Sequence, residues 1–234
     1  MGSFIVEGGV PLSGEVVPAG NKNEALPVLA ASLLATSPVT LYNIPHIGDI
    51  NSMIKILESV GARVQGQEDG GLVIDPAGLG SGEPDQPLCA KIRASFLLAG
   101  PLLARRGHLT LPRPGGDRIG RRRIDTHVLA LEALGAEVQL AKSYHLAAPK
   151  GLRGAEIFLD EASVMATENA LMAAAAADGV SVISNAACEP HVQGLCNMLC
   201  AMGAEISGIG SNVLQIKGSQ SLGGCTHRVM ADHI

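Results

Sequence analysis

The chain has 234 residues, a net charge of −5, 47% hydrophobic residues and only 17% charged residues. This length allows a large core in one big domain or two small ones, and the composition excludes a disordered chain. The acidic balance argues against a nucleic-acid surface, and no apolar run reaches the ~18 residues of a membrane span. We therefore expect a soluble, cytoplasmic α/β protein without nucleic-acid or membrane partners.

In chain order, residues 1–19 are predicted to form a pair of strands, and an Ala-rich helix is predicted over 21–35. A short strand, a second helix ending at Gly61 and a hairpin follow. The same succession of helix, strand, helix, strand and strand begins again with helices predicted at 92–105 and 163–177. The pattern is typical of three copies of one supersecondary unit.

The second helix of each unit carries the clearest repeat. The segments MIKILESVGARV, HVLALEALGAEV and LCNMLCAMGAEI align on Gly61, Gly135 and Gly203, which gives periods of 74 and 68 residues. The apolar positions before each glycine form one helical face, and the glycine provides a left-handed helix end. We predict a pseudo-threefold α/β domain over 20–226, with apolar helices inside, sheets outside, and an extended stub at 227–234.

The units differ most in the loop that precedes the second helix. From the last apolar residue of the strand to the first apolar residue of the second helix, the residue number rises by 6, 13 and 9 in the three copies. The longest version, PRPGGDRIGRRRID, contains five arginines around Asp117. Guanidinium groups near a helix N-terminus bind phosphate or carboxylate well. The loop is therefore a candidate anion site, with a solvated basic turn as the alternative.

The starts of the first helices form a second candidate anion site. Lys22, Arg93 and Ser163 lie 39, 42 and 40 residues before the repeat glycines of their units. Equivalent positions in a pseudo-threefold domain converge at one end, where helix N-termini and cations bind an anion without a metal. The sequence contains no P-loop, H-E-x-x-H or G-x-S-x-G motif.

Three further residues have simpler interpretations. Cys196 and Cys200 are four residues apart, but Cys196 falls in the apolar column of its helix, which favours buried free thiols over a metal pair. His127 is either a core histidine or a group that supports the arginine loop from behind.

Four motifs together resemble those of a known family. AGNKNEALP, KIRAS, PRPGGDRIGRRRIDTH and SVMATE, in this order, are similar to motifs of the UDP-N-acetylglucosamine 1-carboxyvinyltransferases, which are enolpyruvyl transferases. The resemblance implies an inside-out α/β barrel of two domains with the active site between them. It covers the first half of a family member, or slightly more. We therefore expect 1–19 to belong to a second domain and 227–234 to lead into the C-terminal half that this chain lacks.

The resemblance also implies a reaction. The family moves the enolpyruvyl group of phosphoenolpyruvate to the 3-hydroxyl of UDP-N-acetylglucosamine, releases phosphate and uses no cofactor or metal, in the first committed step of peptidoglycan synthesis. By this resemblance Lys22, Asn23 and Arg122 bind phosphoenolpyruvate, and Lys22 and Asp117 are catalytic. The expected contacts to UDP-N-acetylglucosamine are Arg93, Arg122, Arg123, Ile124, Asp125, Thr126, Ser163 and Val164.

Two residues depart from the family pattern. Asp117 stands where the family usually has the cysteine that fosfomycin alkylates, so we expect resistance to this antibiotic. Met165 stands where the family commonly has glycine, which affects the fit of the nucleotide sugar. Because the family's deprotonating aspartate comes from the second domain, we expect the chain alone to lack turnover.

Alternative functions stay open at this point. A sibling enzyme acts on shikimate phosphate, but its lysine is followed by serine, whereas N-K-N favours the nucleotide-sugar enzyme. A module that binds a nucleotide sugar without catalysis would keep the same motifs. A relative that processes nucleic-acid ends would need a nucleophilic histidine, which no motif supplies.

Overall fold

A computed structural model of the protein describes residues 3–116, 120 and 122–234 and shows the three predicted units. The first unit consists of α1 (Lys22–Ala31, followed by a 3-10 helix at Ser32–Leu34), β1 (Val39–Tyr42), α2 (Gly48–Ser59), β2 (Arg63–Gly66) and β3 (Leu72–Asp75). A connection follows, with a 3-10 helix at Pro76–Gly78 and the short α3 (Gln86–Cys89).

The second and third units repeat this order. The second unit consists of a 3-10 helix (Arg93–Leu98), α4 (Ala99–Arg106), β4 (His108–Pro112), α5 (Asp125–Ala133), β5 (Glu137–Leu140) and β6 (Ser143–Ala147). The linking strand β7 (Glu156–Phe158) precedes the third unit, which consists of α6 (Val164–Ala175), β8 (Val180–Ser184), α7 (Pro190–Ala201), β9 (Glu205–Ser207) and β10 (Val213–Lys217). The strand β11 (Thr226–Arg228) comes last.

The three repeat glycines end the second helices as predicted. Gly61, Gly135 and Gly203 have φ angles of 101°, 96° and 106°, and residues other than glycine rarely adopt such positive values. The backbone can therefore leave each helix and enter a hairpin at the same point of every unit.

The first helices lie inside the domain. Every residue of α1 from Glu24 to Ala31 is buried, and so is every residue of α6 from Ala166 to Ala175. A helix that is buried all round belongs to a core, which explains why these segments are rich in alanine and leucine. Strands such as β8 and β10 instead alternate buried with exposed or partly exposed residues, so the sheets cover the helices from outside.

Linking strands join the units into a ring. The sheet orders are β11-β1-β3-β2, β4-β6-β5 and β7-β8-β10-β9. The hairpin strands pair antiparallel, whereas β7 is parallel to β8 and β11 is parallel to β1. Because β11 follows the third unit and pairs with the first, it closes the ring of three units.

The two ends of the described chain differ from each other. The strand pair predicted within 1–19 is not formed, since 3–19 contain no strand and Phe4 and Leu12 are 97% and 100% exposed. Two strands alone bury too little apolar surface to be stable. The predicted stub at 227–234, in contrast, begins within β11 and packs on the domain, with Val229 buried. The assignment of either end to a second domain stays a prediction.

Candidate active site

The starts of the first helices of all three units meet around one cavity of about 410 Å³, which we call the central cavity. The repeat predicted that Lys22, Arg93 and Ser163 converge. Lys22 and Arg93 line this cavity, and from the start of α6 it is Met165, two residues after Ser163, that does so. The cationic residues in its lining are Lys22, Lys91, Arg93 and Arg122. Asp49, in the first turn of α2, adds a carboxylate. This excess of positive charge suits a small molecule with several negative charges.

The start of α1 presents Lys22 to this cavity. Asn21 caps the helix, because its side-chain oxygen accepts a hydrogen bond from the backbone N–H of Glu24 at 3.0 Å. The Lys22 side chain is 47% exposed, and its Nζ lies 3.5 Å from Oδ2 of Asp49. An ion pair as exposed and long as this is weak, so an incoming anion can displace the carboxylate.

Arg93 connects the second unit to the arginine loop. Its Nη2 donates a hydrogen bond to the backbone carbonyl of Arg123 at 2.6 Å. Burial and then the nearby charge of Arg122 lower the pKa of Arg93 from its ordinary value. An arginine nevertheless stays charged in a protein, so two guanidinium groups of like charge lie close together. An anion bound next to both groups would be attracted by both charges.

A second cavity of about 440 Å³ adjoins the central one, and it shares Arg93 and Arg122 with it. The remaining residues of its lining are Arg113, Pro114, Arg123, Ile124, Asp125 and Tyr144. Two adjoining cavities with shared guanidinium groups can bind two anionic groups side by side.

Arg123 lies in a network of carboxylates. Its Nε is 2.9 Å from Oδ2 of Asp125, and its Nη2 contacts Asp125 and Asp160. Asp160 also accepts a hydrogen bond from the hydroxyl of Thr126 at 2.9 Å. Hydrogen bonds from Arg123 and then Thr126 lower the pKa of Asp160. The network joins the start of α5 to the segment that leads into α6.

Nearly the whole chain matches one family model. The model of EPSP synthase (3-phosphoshikimate 1-carboxyvinyltransferase) matches residues 6–234. The chain belongs to this family.

The chain is also similar to individual curated proteins that share one name. The chain is 55% identical over 231 residues to the UDP-N-acetylglucosamine 1-carboxyvinyltransferase of Bradyrhizobium diazoefficiens, which covers 99% of the chain and 53% of that protein. It is 50% identical over 234 residues to the enzyme of the same name from Treponema denticola, and this match covers 100% of the chain and 55% of that protein. The chain thus spans about half the length of the curated relatives it matches.

Solved structures share the fold. The enolpyruvyl transferase NikO from Streptomyces tendae superposes with a TM-score of 0.82 over 96% of the chain and 53% of that protein, at 23% identity. An EPSP synthase from Acinetobacter baumannii superposes with a TM-score of 0.73 over 94% of the chain and 50% of that protein, at 19% identity. At these identities the likeness concerns the fold alone, and it confirms the predicted enolpyruvyl transferase-like α/β architecture.

The start of α6 forms the apolar side of the central cavity. Ser163 caps the helix, with its hydroxyl oxygen 3.4 Å from the backbone nitrogen of Ala166. Val164 is partly exposed, and Met165 lines the central cavity. The methionine that departs from the resemblance therefore stands at the place where it affects ligand fit.

His127 is a core histidine, the first of the two interpretations that the sequence left open. It is fully buried, and burial lowers its pKa to about 3, so the ring is neutral. Its Nδ1 accepts a hydrogen bond from the Asn169 amide at 3.0 Å, so the proton resides on Nε2, which has no partner. Asn169 also donates to the carbonyl of Phe96 and accepts from the N–H of Gly100. His127 thus helps to lock the second unit onto α6.

Asp117 lies outside the described residues, so its catalytic role stays a prediction. Gly116, which precedes it, and Arg122, five residues after it, both line the central cavity. Of the predicted contacts to the nucleotide sugar, five line the second cavity: Arg93, Arg122, Arg123, Ile124 and Asp125. Thr126, Ser163 and Val164 are not among the residues that line either cavity.

Sequence reasoning missed Asp49, Lys91 and Asp160. A signal for Asp49 was present, because the repeat alignment places Asp49, Arg123 and His191 in the same column, just before the first apolar residue of the second helix. Three different ionisable residues in one column mark a position that differs in function between units. Asp160 gave no such signal, because its partners are known only from the fold.

Other classes of site are not supported by the described part of the chain. Within 3–116, 120 and 122–234, no group of three or more His, Cys, Asp or Glu side chains could hold a metal ion. Cys196 is a buried free thiol, as predicted, and burial raises its pKa to about 12, whereas Cys200 is free but partly exposed. No helix among these residues is long and apolar enough to cross a bilayer.

Proposed function

We propose that the protein to which this chain belongs transfers the enolpyruvyl group of phosphoenolpyruvate to the 3-hydroxyl of UDP-N-acetylglucosamine and releases phosphate, as a step of peptidoglycan synthesis. The observation that carries the proposal is the convergence of Lys22, Arg93 and Arg122 on one cavity that shares Arg93 and Arg122 with a second basic cavity. The curated relatives with 50–55% identity bear the name of this reaction.

The chemistry explains why so many cations are needed. The sugar hydroxyl adds to C2 of the enolpyruvyl group while a proton is added to C3, and phosphate then leaves as a proton returns from C3. Negative charge moves onto the phosphate oxygens, and preorganised cations stabilise it. We assign Lys22 and Arg122 to the phosphate and carboxylate of phosphoenolpyruvate, with the Asn23 amide as a further hydrogen-bonding group.

The second cavity is assigned to the nucleotide sugar. Arg93 and Arg122 stand between the two cavities, where they can contact the diphosphate while the sugar extends towards the central cavity. Arg123, Ile124 and Asp125 line the remaining wall of this cavity, and we assign Thr126, Ser163 and Val164 to further contacts with the nucleotide sugar. Arg123 already contacts two carboxylates, so we assign it to holding this wall in place.

Asp117 is assigned as the acid that protonates C3. The residues on either side of its segment, Gly116 and Arg122, both line the central cavity, which supports the placement. General acids of this kind contribute roughly 10²–10⁴-fold to a rate. A carboxyl group is a poor nucleophile towards an epoxide compared with a thiolate, which supports the expected resistance to fosfomycin.

The test is phosphate release by the complete product of the gene that encodes this chain. We expect release from phosphoenolpyruvate to require UDP-N-acetylglucosamine and not to respond to shikimate 3-phosphate. The 234-residue chain should release phosphate only at the background rate. Stimulation by shikimate 3-phosphate alone would assign the sibling reaction instead, and tight binding of the nucleotide sugar without release would favour a module that does not catalyse.

A further inference from the structure

The first turn of α1 has two faces with different surroundings. Lys22 and Asn23 line the central cavity, whereas Asn21 and Glu24 are only 0% and 1% exposed. The inward face rests on residues 226–232, which we call the closing segment because it begins with the ring-closing strand β11. The anion-binding residues are thus backed by a part of the chain about two hundred positions later in the sequence.

Both inward residues are hydrogen-bonded to the closing segment. The Glu24 carboxylate accepts from Nε2 of His227 at 2.8 Å and from the backbone N–H of Met230 at 3.1 Å. The backbone N–H of Asn21 donates to the carbonyl of Met230, and its side-chain amide donates to Asp232, each at 2.8 Å. Four hydrogen bonds therefore fix the two residues that flank Lys22 and Asn23.

Helix α7 confines the Glu24 carboxylate from the other side. A Cβ atom placed on Gly194 would lie 2.4 Å from Cδ of Glu24 and 2.5 Å from its Oε1. Contacts this short do not occur, so a side chain at position 194 must displace the carboxylate or the helix. The absence of a side chain at Gly194 thus leaves the space that the Glu24 carboxylate occupies.

The closing segment is itself held rigidly. Its strand β11 pairs with β1, and the backbone N–H of Val229 donates to the carbonyl of Tyr42 at 3.0 Å. The side-chain amide of Asn43 donates to the carbonyl of Val229 at 2.9 Å. The segment is therefore a fixed support for the start of α1.

We infer that Glu24 is a positioning residue for the anion site. Through its hydrogen bonds to the closing segment it sets the orientation in which Lys22 and Asn23 bind phosphate. The inference rests on the proposed function, because it presumes that these two residues bind the phosphate of a substrate. A binding site requires side chains held within a fraction of an ångström by the residues behind them. Glu24 does this without contacting the ligand.

The first experiment measures the binding of inorganic phosphate to the 234-residue chain by calorimetry. Gly194→Ala changes neither Glu24 nor any cavity residue, and alanine suits a helix better than glycine. We expect it to weaken phosphate binding at least about tenfold, as should Glu24→Ala. Glu24→Gln should retain near-normal affinity, because its amide can accept from Met230 and donate to the other tautomer of His227. Leu214→Ala, in the core under the third sheet, is the destabilising control and should not change the affinity.

The second measurement does not depend on phosphate. Hydrogen exchange of the amides of Glu24 and Ala25, which bond to Asn21, should accelerate in Gly194→Ala and stay unchanged in Leu214→Ala. Failure of the unmodified chain to bind phosphate would count against the proposed function, and exchange alone would then decide the inference. Unchanged exchange, or faster exchange with unchanged phosphate affinity, would show that Glu24 is merely structural and would overturn it.

Discussion

Helices α1 and α6 hold equivalent positions in the first and third units, and each begins with a residue whose side chain caps its own N-terminus. Asn21 accepts from the N–H of Glu24 at 3.0 Å, and Ser163 lies 3.4 Å from the nitrogen of Ala166. Both caps lie 40 residues before the repeat glycine of their unit. The repeat therefore fixes where each helix begins and how its first turn is capped.

The residues after the caps differ in chemistry. The first helix continues with Lys22 and Asn23, whereas α6 continues with Val164 and Met165. Lys22 and Asn23 line the central cavity from α1, and Met165 lines it from α6, so α1 contributes a cationic and a polar side chain and α6 an apolar one. Equivalent helix starts of the repeat thus contribute different chemistry to one cavity.

The buried glutamates of the two helices also differ. Glu24 accepts two hydrogen bonds, whereas Oε1 of Glu168 in α6 has no partner. Burial, with a smaller contribution from Glu189, raises the pKa of Glu168 well above its ordinary value. The carboxyl group of Glu168 therefore keeps its proton in the folded protein at pH values at which the unfolded chain has lost it.

The largest expected effect separates the two helix starts. Lys22→Ala should lower the turnover of the complete gene product by about 10²–10³-fold, because it removes a preorganised charge from the leaving phosphate. Val164→Ala should change turnover by less than about threefold. Lys150→Ala, an exposed lysine in a turn, is the matched control. Steady-state phosphate release measures all three, and equal losses in Lys22→Ala and Val164→Ala would refute the division into a cationic and an apolar contribution.

The second effect concerns Asp117, which we proposed as the general acid. Asp117→Cys should retain turnover and become sensitive to fosfomycin, since a thiolate opens an epoxide far faster than a carboxylate does. Inactivation of the two forms is compared by preincubation followed by the phosphate assay. Rapid covalent inactivation of the unmodified protein would show that Asp117 does not stand at the reacting carbon.

A smaller effect is expected from the network that joins α5 to the segment before α6. Asp160→Asn should raise the KM for UDP-N-acetylglucosamine by about tenfold, which corresponds to ~1.4 kcal/mol of binding, and leave kcat nearly unchanged. Glu205→Gln, which disrupts the exposed ion pair with Lys217, provides the control. A lower kcat with an unchanged KM would mean that the network serves the chemical step instead of the nucleotide wall.

The smallest effect is on stability. As the pH rises above about 4.3, the unfolded chain ionises at Glu168 while the folded chain does not, so the folded state loses stability until its own raised pKa is reached. Glu168→Gln removes this titration, so its stability relative to that of the unmodified protein should rise as the pH increases above about 4.3. Urea unfolding at about pH 4 and at neutral pH measures the difference. Glu205→Gln, an exposed substitution, should show no such trend, and a pH-independent difference for Glu168→Gln would contradict its protonated state.

The repeat made most of the fold predictable from the sequence. Gly61, Gly135 and Gly203 mark equivalent helix ends, and the Ala-rich segments can only be core helices, so the order of elements follows directly. The linking strands β7 and β11 were not predicted, because three-residue strands acquire their identity from a neighbouring sheet. The strand pair at 1–19 was predicted from local alternation, which cannot reveal whether a partner sheet is present.

The site was predictable where it depends on the repeat and hidden where it depends on distant contacts. Lys22 and Arg93 stood out because equivalent positions converge. Glu24, Asp160 and Gly194 did not, since a buried glutamate or a helical glycine has a meaning only when the segment packed against it is known.

The most direct test of the central claim uses the methyl group of Met165, which lines the central cavity next to the proposed anion site. In the 234-residue chain with 13C-labelled methionine methyls, titration with UDP-N-acetylglucosamine and then inorganic phosphate should shift the Met165 resonance. The resonances of the fully buried Met53, Met172 and Met198 should stay nearly unchanged. Saturable shifts at Met165 that disappear in Arg93→Ala are the predicted result. No shift at Met165 at any concentration, with ligand binding detected elsewhere, would contradict the account.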